Sequence, residues 1–155
     1  MLVQPRYYWY HQHKATEMSL PLASLPTWIL SSAATRSHQA LHQKLTEAGV
    51  NGYEYRCIAA LADRGELSQV ALGSAAALDP RDVTVTVRAL EARGLVTRKA
   101  DPEHGRRMLV SLTEEGRKAE VRLSRVIADV QDKVFERLSS EERSMLLELL
   151  GRVGT

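Results

Sequence analysis

The stretch that most constrains the fold covers residues 68–112, because it carries closely spaced signals for starting and ending short elements. Asp79 can cap a helix, Pro80 suits the first helical position, and Asp82 places negative charge where the helix dipole favours it. Gly94 can adopt the left-handed conformation that ends such a helix. These signals predict a short helix between Asp79 and Gly94.

Two strand patterns follow this helix. Residues 95–99 and 107–112 read as short strands, and the residues between them are rich in turn formers, including Asp101, Pro102 and Gly105. The pattern predicts a hairpin with a charged tip.

A shorter helix is predicted before Asp79, opened by Ser68 and closed by a tight turn at residues 77–79. Its inward-facing residues are predicted to be Val70, Leu72 and Ala76. A short helix, a tight turn, a second helix and a basic hairpin form the order of a winged helix-turn-helix. In that arrangement the second helix enters the major groove of DNA and the hairpin reaches alongside.

Longer helical patterns precede this stretch. One begins near Ser24, with Pro26 in its first turn, and stops at Gly49. Asn51 can cap a second helix. The second helix carries a single apolar stripe made of Tyr53, Cys57 and Leu61.

Two further helices are predicted after the hairpin. Thr113 can cap a long one, and Ser139 with Glu142 can form a capping box for the last. The long helix carries Ala119, Leu123, Val126, Ile127, Val130, Val134 and Leu138, and the last helix carries Met145, Leu146, Leu149 and Leu150. Periodicity alone allows these stripes to be buried in a monomeric bundle or between two copies.

Composition narrows the class of protein. A chain of 155 residues with 44% hydrophobic residues supports one modest core. The formal net charge of +2 is compatible with nucleic acid but does not decide the matter. Cys57 is the single cysteine, and no apolar run approaches the ~20 residues of a membrane span. We expect a cytoplasmic protein, since no secretory signal is apparent.

The first twenty residues differ from the rest. Four of the eight aromatic residues lie at positions 7–10. We expect residues 1–20 to form an arm that is either peripheral or anchored on a partner subunit. Met18 is an alternative start, which would make the arm an upstream extension.

The helix that begins after Asp79 has a face suited to DNA. Val83, Val87 and Leu90 share one stripe and are predicted to face the core. The opposite face holds Arg81, Thr84, Val85 and Arg88. Arginine can donate two hydrogen bonds to guanine, a threonine hydroxyl can reach base edges or phosphate, and valine methyls can meet the thymine methyl. The alternative is that both arginines are ordinary solvated charges.

The hairpin adds basic residues to this face. Residues 79–107 contain seven Lys/Arg against five Asp/Glu, and the hairpin holds Arg98, Lys99, Arg106 and Arg107. Counterion release favours such a cluster on phosphates. With Gly105 at the tip, Arg106 or Arg107 is expected to reach the minor groove. Alternatively, Asp101 pairs with Arg106 and supports the hairpin itself.

The chain resembles the MarR (multiple antibiotic resistance regulator) family over roughly residues 24–153. The resemblance rests on Leu-Glu-Ala-Arg-Gly-Leu-Val at 90–96, Asp-Pro-Glu at 101–103 and Leu-Thr-Glu-Glu-Gly at 112–116. It implies a homodimeric DNA-binding regulator, in which residues 21–50 and 113–155 form dimerisation helices and 51–112 form the winged module. Further matches add Ser68 and Gln69, on the supporting helix, to the candidate DNA contacts.

Some positions depart from the family pattern. His104 stands where an aspartate is usual, and Gly105 where many members carry a wing arginine, so wing affinity or its pH dependence is expected to differ. Gly73 and Ala76 stand where bulkier or better helix-forming residues are common. The glycine alone is expected to loosen the short helix by roughly 1 kcal/mol.

The resemblance also implies an effector pocket between the dimerisation helices and the DNA-binding module. Its candidate lining residues are Trp28, Ser32, His38, His42, Tyr55 and Arg56. Arg56 can pair with a carboxylate, and the aromatic rings can stack on an apolar body, so the chemistry suits an organic acid or aromatic compound. The alternative is that the aromatic residues pack between subunits and the histidines are merely exposed.

Other functional classes find less support. His38 and His42 lie four apart and can share a zinc ion, but no third ligand is obvious, so neither a metal nor another cofactor is expected. Cys57 is predicted to be buried with a raised pKa, which disfavours a peroxide sensor. The sequence has no convincing catalytic constellation, so an enzyme is not expected. The competing class is a winged-helix interaction module whose basic face binds an acidic protein.

Overall fold

The computed structural model describes residues 21–105 and 107–153, and within them six α-helices and three β-strands follow one another. The predicted arm at residues 1–20 lies outside the described residues. The helices are α1 Pro26–Glu47, α2 Gly52–Arg64, α3 Gln69–Ala76, α4 Pro80–Ala92, α5 Glu114–Val134 and α6 Ser140–Leu150. The strands are β1 Leu67–Ser68, β2 Val96–Ala100 and β3 Met108–Leu112. The predicted fold class, mainly helical with a small β wing, is confirmed.

The predicted helix starts are confirmed by side-chain caps. Five side chains each accept a hydrogen bond from a backbone N–H in the first turn of α2 to α6, and these are Asn51, Ser68, Asp79, Thr113 and Ser139. Gly94 follows α4 with φ +70°, the left-handed conformation predicted for it. Local chemistry therefore sets most helix boundaries.

The wing belongs to a three-stranded antiparallel sheet of order β1-β3-β2. The predicted hairpin pairs Val96 with Leu112, and β1 pairs Leu67 with Val110. The strand β1 was not predicted, because two residues are too few to show an alternating pattern. Since Ser68 ends β1 and also caps α3, this strand fastens the start of α3 to the wing.

One hydrophobic core joins α2, α3, α4 and the sheet to the C-terminal part of α1 and the first half of α5. The predicted inward stripe of α4, Val83, Val87 and Leu90, is at most 1% exposed. Val70 was wrongly predicted to point inward and is 83% exposed. At 100° per residue it lies about 200° from the buried Leu72, so both cannot face the core.

Two other predicted stripe residues lie outside the core. Tyr53 is 45% exposed, because it stands at the first turn of α2, where its ring lies under the Arg56 guanidinium at 5.0 Å. Leu138 was predicted on the long helix, but α5 ends at Val134 and Leu138 is exposed. Among the described residues, no helix combines the length and the apolar character needed to cross a bilayer.

The chain divides into two compact units, residues 1–40 and 41–155. The described part of the first unit holds a 3-10 turn at Leu22–Ser24 and the N-terminal part of α1, on which Trp28, Ile29 and Leu30 are exposed. The second unit holds the core. It also holds α6, which the structure describes in full and in which no residue is buried.

Candidate nucleic-acid interface

Helix α4 presents the face that its sequence pattern predicts. Arg81, Val85 and Arg88 are exposed, with Val85 at 61%, on the side away from the buried valines and Leu90. The helix is held at its start by Asp79, whose Oδ1 accepts a hydrogen bond of 2.8 Å from the backbone N–H of Asp82. Two cations and an apolar side chain therefore project together from a rigid helix.

The turn between α3 and α4 is tight and cross-braced. Ala77 occupies the left-handed region at φ +51°, which is unusual for a residue with a Cβ. Its carbonyl oxygen accepts a hydrogen bond of 3.1 Å from Nη1 of Arg56 on α2. A Cβ on Gly73 would lie 3.0 Å from Cγ2 of Val83, so the glycine allows α3 and α4 to pack closely.

The wing tip is ordered by backbone hydrogen bonds to Asp101. Oδ1 of Asp101 accepts from the N–H of Glu103 at 2.9 Å and of His104 at 3.3 Å. The N–H of Asp101 in turn donates to the carbonyl of Arg107 at 2.9 Å. Arg106, and with it the predicted alternative pairing to Asp101, lies outside the described residues.

The candidate cations differ in whether they have partners. Nε of Arg98 donates to Oε2 of Glu91 at 2.9 Å, and this hydrogen bond lowers the pKa of Glu91. Nζ of Lys99 lies 2.8 Å from Oε2 of Glu66. Within the described part of the chain, the side chains of Arg81, Arg88 and Arg107 make no hydrogen bond or ion pair, so they remain available to a ligand.

The supporting helix α3 contributes polar side chains to the same surface, and they are linked by hydrogen bonds. Ser68 is engaged as the cap of α3, accepting from the N–H of Ala71 at 3.2 Å. Nε2 of Gln69 donates to Oγ1 of Thr84 at 2.7 Å, and Oγ1 of Thr84 donates to the carbonyl of Pro80 at 2.8 Å. These residues border an open groove of about 860 Å³ whose lining includes Gln69, Val70, Pro80, Thr84, Arg107 and Met108.

An ion pair that the sequence reasoning missed anchors the other end of α4. Nη1 of Arg93 lies 3.1 Å from Oε1 of Glu54, a carboxylate only 9% exposed, and Nη2 donates to the carbonyl of Gly49 at 2.9 Å. Oε2 of the same glutamate accepts from the N–H of Asn51 and completes a capping box. The spacing of Asn51 and Glu54 in the sequence was a signal for this capping box, but not for the ion pair with Arg93.

The effector-pocket candidates are distributed over both units. Trp28, Ser32 and His38 belong to the first unit, and His42, Tyr55 and Arg56 to the second. Tyr55 is half-buried against the core, and burial, assisted by Glu120, raises the pKa of its hydroxyl. Arg56 is already engaged by the Ala77 carbonyl and the Tyr53 ring.

The remaining chemical candidates are also located. Within residues 21–105 and 107–153, no three His, Cys, Asp or Glu side chains are grouped so as to hold a metal ion. The prediction for Cys57 is confirmed, since the residue is 0% exposed and burial raises the pKa of its thiol to about 11. A buried thiol with a raised pKa stays protonated near neutral pH and lacks the reactive thiolate that a peroxide sensor needs.

Comparison with known proteins matches residues 48–107 to the model of the MarR family, from the end of α1 to the wing. The transcriptional regulator HosA of Escherichia coli O111:H- is 33% identical over 100 residues, which cover 64% of this chain and 74% of HosA. The chain belongs to the MarR family. The resemblance stated from the sequence is thereby confirmed.

Two further relatives of this MarR-family chain indicate what such proteins do. The transcriptional repressor NicR of Pseudomonas putida is 27% identical over 90% of this chain and 93% of NicR. A structure of BpsR from Bordetella bronchiseptica, whose DNA binding is regulated by 6-hydroxynicotinic acid, is 26% identical with a TM-score of 0.72, covering 82% of this chain and 96% of BpsR. The chain is a DNA-binding transcription regulator and not an enzyme.

Proposed function

We propose that this MarR-family protein is a sequence-specific repressor that binds a pseudo-palindromic operator as a homodimer and releases it on binding a small organic acid. The proposal is carried by three arginines whose side chains have no partner among the described residues, Arg81 and Arg88 on α4 and Arg107 on the wing. They can bind phosphate or guanine without breaking an ion pair first. Arg98 and Lys99 would have to exchange a carboxylate for a phosphate, so they contribute less.

The terminal helices support the homodimer. On α6 the polar residues Glu141, Ser144 and Glu148 share one face, and exposed apolar side chains lie elsewhere on the helix, at Met145, Leu147, Leu149 and Leu150. In the proposed dimer a second copy covers that surface, and binding to successive major grooves requires the two winged modules to lie about 34 Å apart. In this proposal residues 21–50 and 113–155 dimerise and 51–112 read the DNA. Leu45 and Leu123 belong to the core of the module, so a shift of their helices would reach it.

The proposed effector is an aromatic carboxylate. The relative BpsR is regulated by such an acid, and in this chain Arg56 is the cation among the candidate lining residues. A carboxylate that pairs with Arg56 would compete with the Ala77 carbonyl. Because that carbonyl lies in the turn between α3 and α4, the competition would loosen the DNA-reading unit. Of the other lining residues expected from the sequence, His42 and Tyr55 lie in the same unit as Arg56.

The decisive experiment is a binding titration on the DNA that precedes the protein's own gene, with competitor DNA and fixed near-physiological salt. Specific recognition predicts a preference of about 10³-fold or more over competitor. Arg88→Ala is expected to weaken binding about tenfold or more while leaving the unfolding midpoint unchanged. The matched control is Arg137→Ala, which removes an exposed arginine between α5 and α6 and should bind like the wild type.

Two outcomes would contradict parts of the proposal. Binding no tighter than to competitor, together with capture of an acidic protein, would favour the interaction-module class. The same titration repeated with aromatic carboxylates, beginning with 6-hydroxynicotinic acid, tests release of the DNA. Release by one of them that Arg56→Gln abolishes supports the effector site, whereas undisturbed DNA binding throughout the series removes the effector from the proposal.

A further inference from the structure

The hydrogen bonds of Thr84 leave its hydroxyl no proton to offer to DNA. Oγ1 donates to the carbonyl of Pro80 at 2.8 Å, and a carbonyl oxygen can only accept, so the single hydroxyl proton is used there. Toward its second neighbour the hydroxyl can therefore only accept. That neighbour is Gln69, whose Nε2 lies 2.7 Å away. The sequence pattern had predicted Thr84 as a DNA contact, but its bonding suits a supporting role.

This arrangement fixes the amide of Gln69. Because Thr84 can only accept, Nε2 must face it and Oε1 must face elsewhere, which removes the usual ambiguity of an amide side chain. Within the described part of the chain, Oε1 and the second N–H of Nε2 have no partner. A fixed side chain loses less conformational freedom when it binds. Gln69 is thus held ready with one acceptor and one donor.

The groove around Gln69 has room and side chains that suit a base pair. It lines the open groove with Thr84, Arg107 and Met108, beside the N-terminal turns of α4. The next residue, Val70, also lines the groove and is 83% exposed. Adenine offers its N6 amino group and N7 acceptor in the major groove, which match a glutamine, and the paired thymine offers a methyl group, which matches a valine.

We propose that Gln69 reads an adenine in each half-site, that Val70 lies against the methyl of a thymine beside it, and that Thr84 is a positioning residue for Gln69. The proposal rests on the proposed sequence-specific DNA binding and adds base identity to it. It assigns recognition to the supporting helix α3, next to the arginines of α4. The class of ligand is an A·T pair presented in the major groove.

The test begins with selection of binding sites from random duplex DNA by the wild-type protein. Each enriched adenine is then replaced by 7-deazaadenine, which lacks the N7 acceptor. One position in each half-site is expected to lose about tenfold in affinity. In Gln69→Ala the same replacement should have no further effect, and the four bases at that position should bind nearly equally.

Three further variants separate base reading from a structural role. Thr84→Val removes the hydroxyl and should lose most of the adenine preference, whereas Thr84→Ser keeps the hydroxyl and should retain it. Gln69→Glu has only acceptors, so its preference should move toward cytosine, whose N4 amino group is a donor. A merely structural Gln69 would weaken binding in these variants without changing which base is preferred.

The outcomes distinguish this inference from the proposed function. If the wild-type protein enriches no sequence, sequence-specific regulation itself fails. If it enriches a site but Gln69→Ala weakens all sequences equally, Gln69 contacts the backbone and the inference is overturned while the function stands. A changed base preference in Gln69→Glu, retained discrimination in Thr84→Ser and a deazaadenine effect that depends on Gln69 together establish it.

Discussion

Apolar side chains are buried in the winged module but exposed on the last helix, α6. In the module, Ile58, Leu72 and Leu90 are 0% exposed. On α6, Met145 is 63% exposed and Leu149 is 48% exposed, and none of its residues is buried. The module therefore satisfies its apolar stripes within one chain, whereas those of α6 need the second copy that the proposed homodimer supplies.

Polar contacts follow the same division. The module is also bonded to the segments that flank it: Thr113 donates to the carbonyl of Gly94 at 2.6 Å, and Arg93 donates to the carbonyl of Gly49 across 44 residues of chain. Among the described residues, the side-chain hydrogen bonds of α6 are local, such as the capping box of Ser139 and Glu142. Stability of the module is thus expected to depend on close contacts between distant segments, and that of α6 on its partner.

The largest effect is expected where the start of α5 approaches the winged module most closely. A Cβ on Gly116, in the first turn of α5, would lie 2.0 Å from the carbonyl oxygen of Leu95. Neither backbone segment can move without disturbing the core, so Gly116→Ala should destabilise the protein by about 3 kcal/mol or more. Denaturant unfolding followed by circular dichroism measures this.

Gly52→Ala is the matched control, since Gly52 lies in the first turn of α2 and an added Cβ there meets nothing within 4 Å. It should leave stability unchanged or raise it by up to about 1 kcal/mol, because alanine is the better helix former. Equal unfolding midpoints for the two variants would show that the contact between α5 and Leu95 does not constrain the module.

The next effect tests the other side of the comparison. Leu149→Glu places a charge on the apolar face of α6 and should convert the proposed dimer into monomers with a folded winged module. Because a monomer binds only one half-site, affinity for the full operator should fall about 100-fold. Sedimentation velocity reports the oligomeric state, and the operator titration reports affinity.

Ser144→Glu adds the same charge to the polar face of α6 and should leave both measurements unchanged. A Leu149→Glu protein that stays dimeric would mean that another surface holds the subunits together. If the winged module instead unfolds when the protein becomes monomeric, the contrast in burial between the module and α6 does not hold. The core of the module would then depend on the partner subunit as well.

The parts of the fold that sequence could predict are those decided by neighbouring residues. Asp79, Thr113 and Ser139 cap their own helices, so their signals are complete within four residues. Val70 was misplaced because it stands in a short helix that is apolar on several sides, where only packing decides the buried face. The short strand β1 exists only because β3 lies beside it.

The candidate site shows the same limit. The exposed face of α4 followed from helical periodicity, but the division of the wing cations did not. Glu66 meets Lys99 only after the sheet has formed, and Glu91 meets Arg98 only after the chain has turned back from α4. Gln69 and Thr84 likewise become partners through the packing of α3 on α4. The sequence shows which side chains are charged, but only the tertiary structure shows which of them already have an ion-pair partner.

The smallest expected effect reports on the module alone. Burial raises the pKa of Cys57 from 9.0 to about 11, so the native state keeps its thiol proton where the unfolded chain has lost it. The stability that this neutral thiol contributes is fully present below about pH 9 and is lost as pH rises toward 11. Unfolding free energy should therefore be about 1 kcal/mol lower at pH 10 than at pH 8 on this account.

Urea unfolding between pH 8 and 11 measures this slope, and Cys57→Ala should flatten it, whatever its effect on stability at pH 8. Tyr55 also has a raised pKa, so part of the slope should remain in that variant and be reduced further by Tyr55→Phe. Leu149→Glu should keep the full slope, because Cys57 is buried entirely by residues of its own chain. A slope that disappears with the dimer would instead mean that the partner helps to close the core around Cys57.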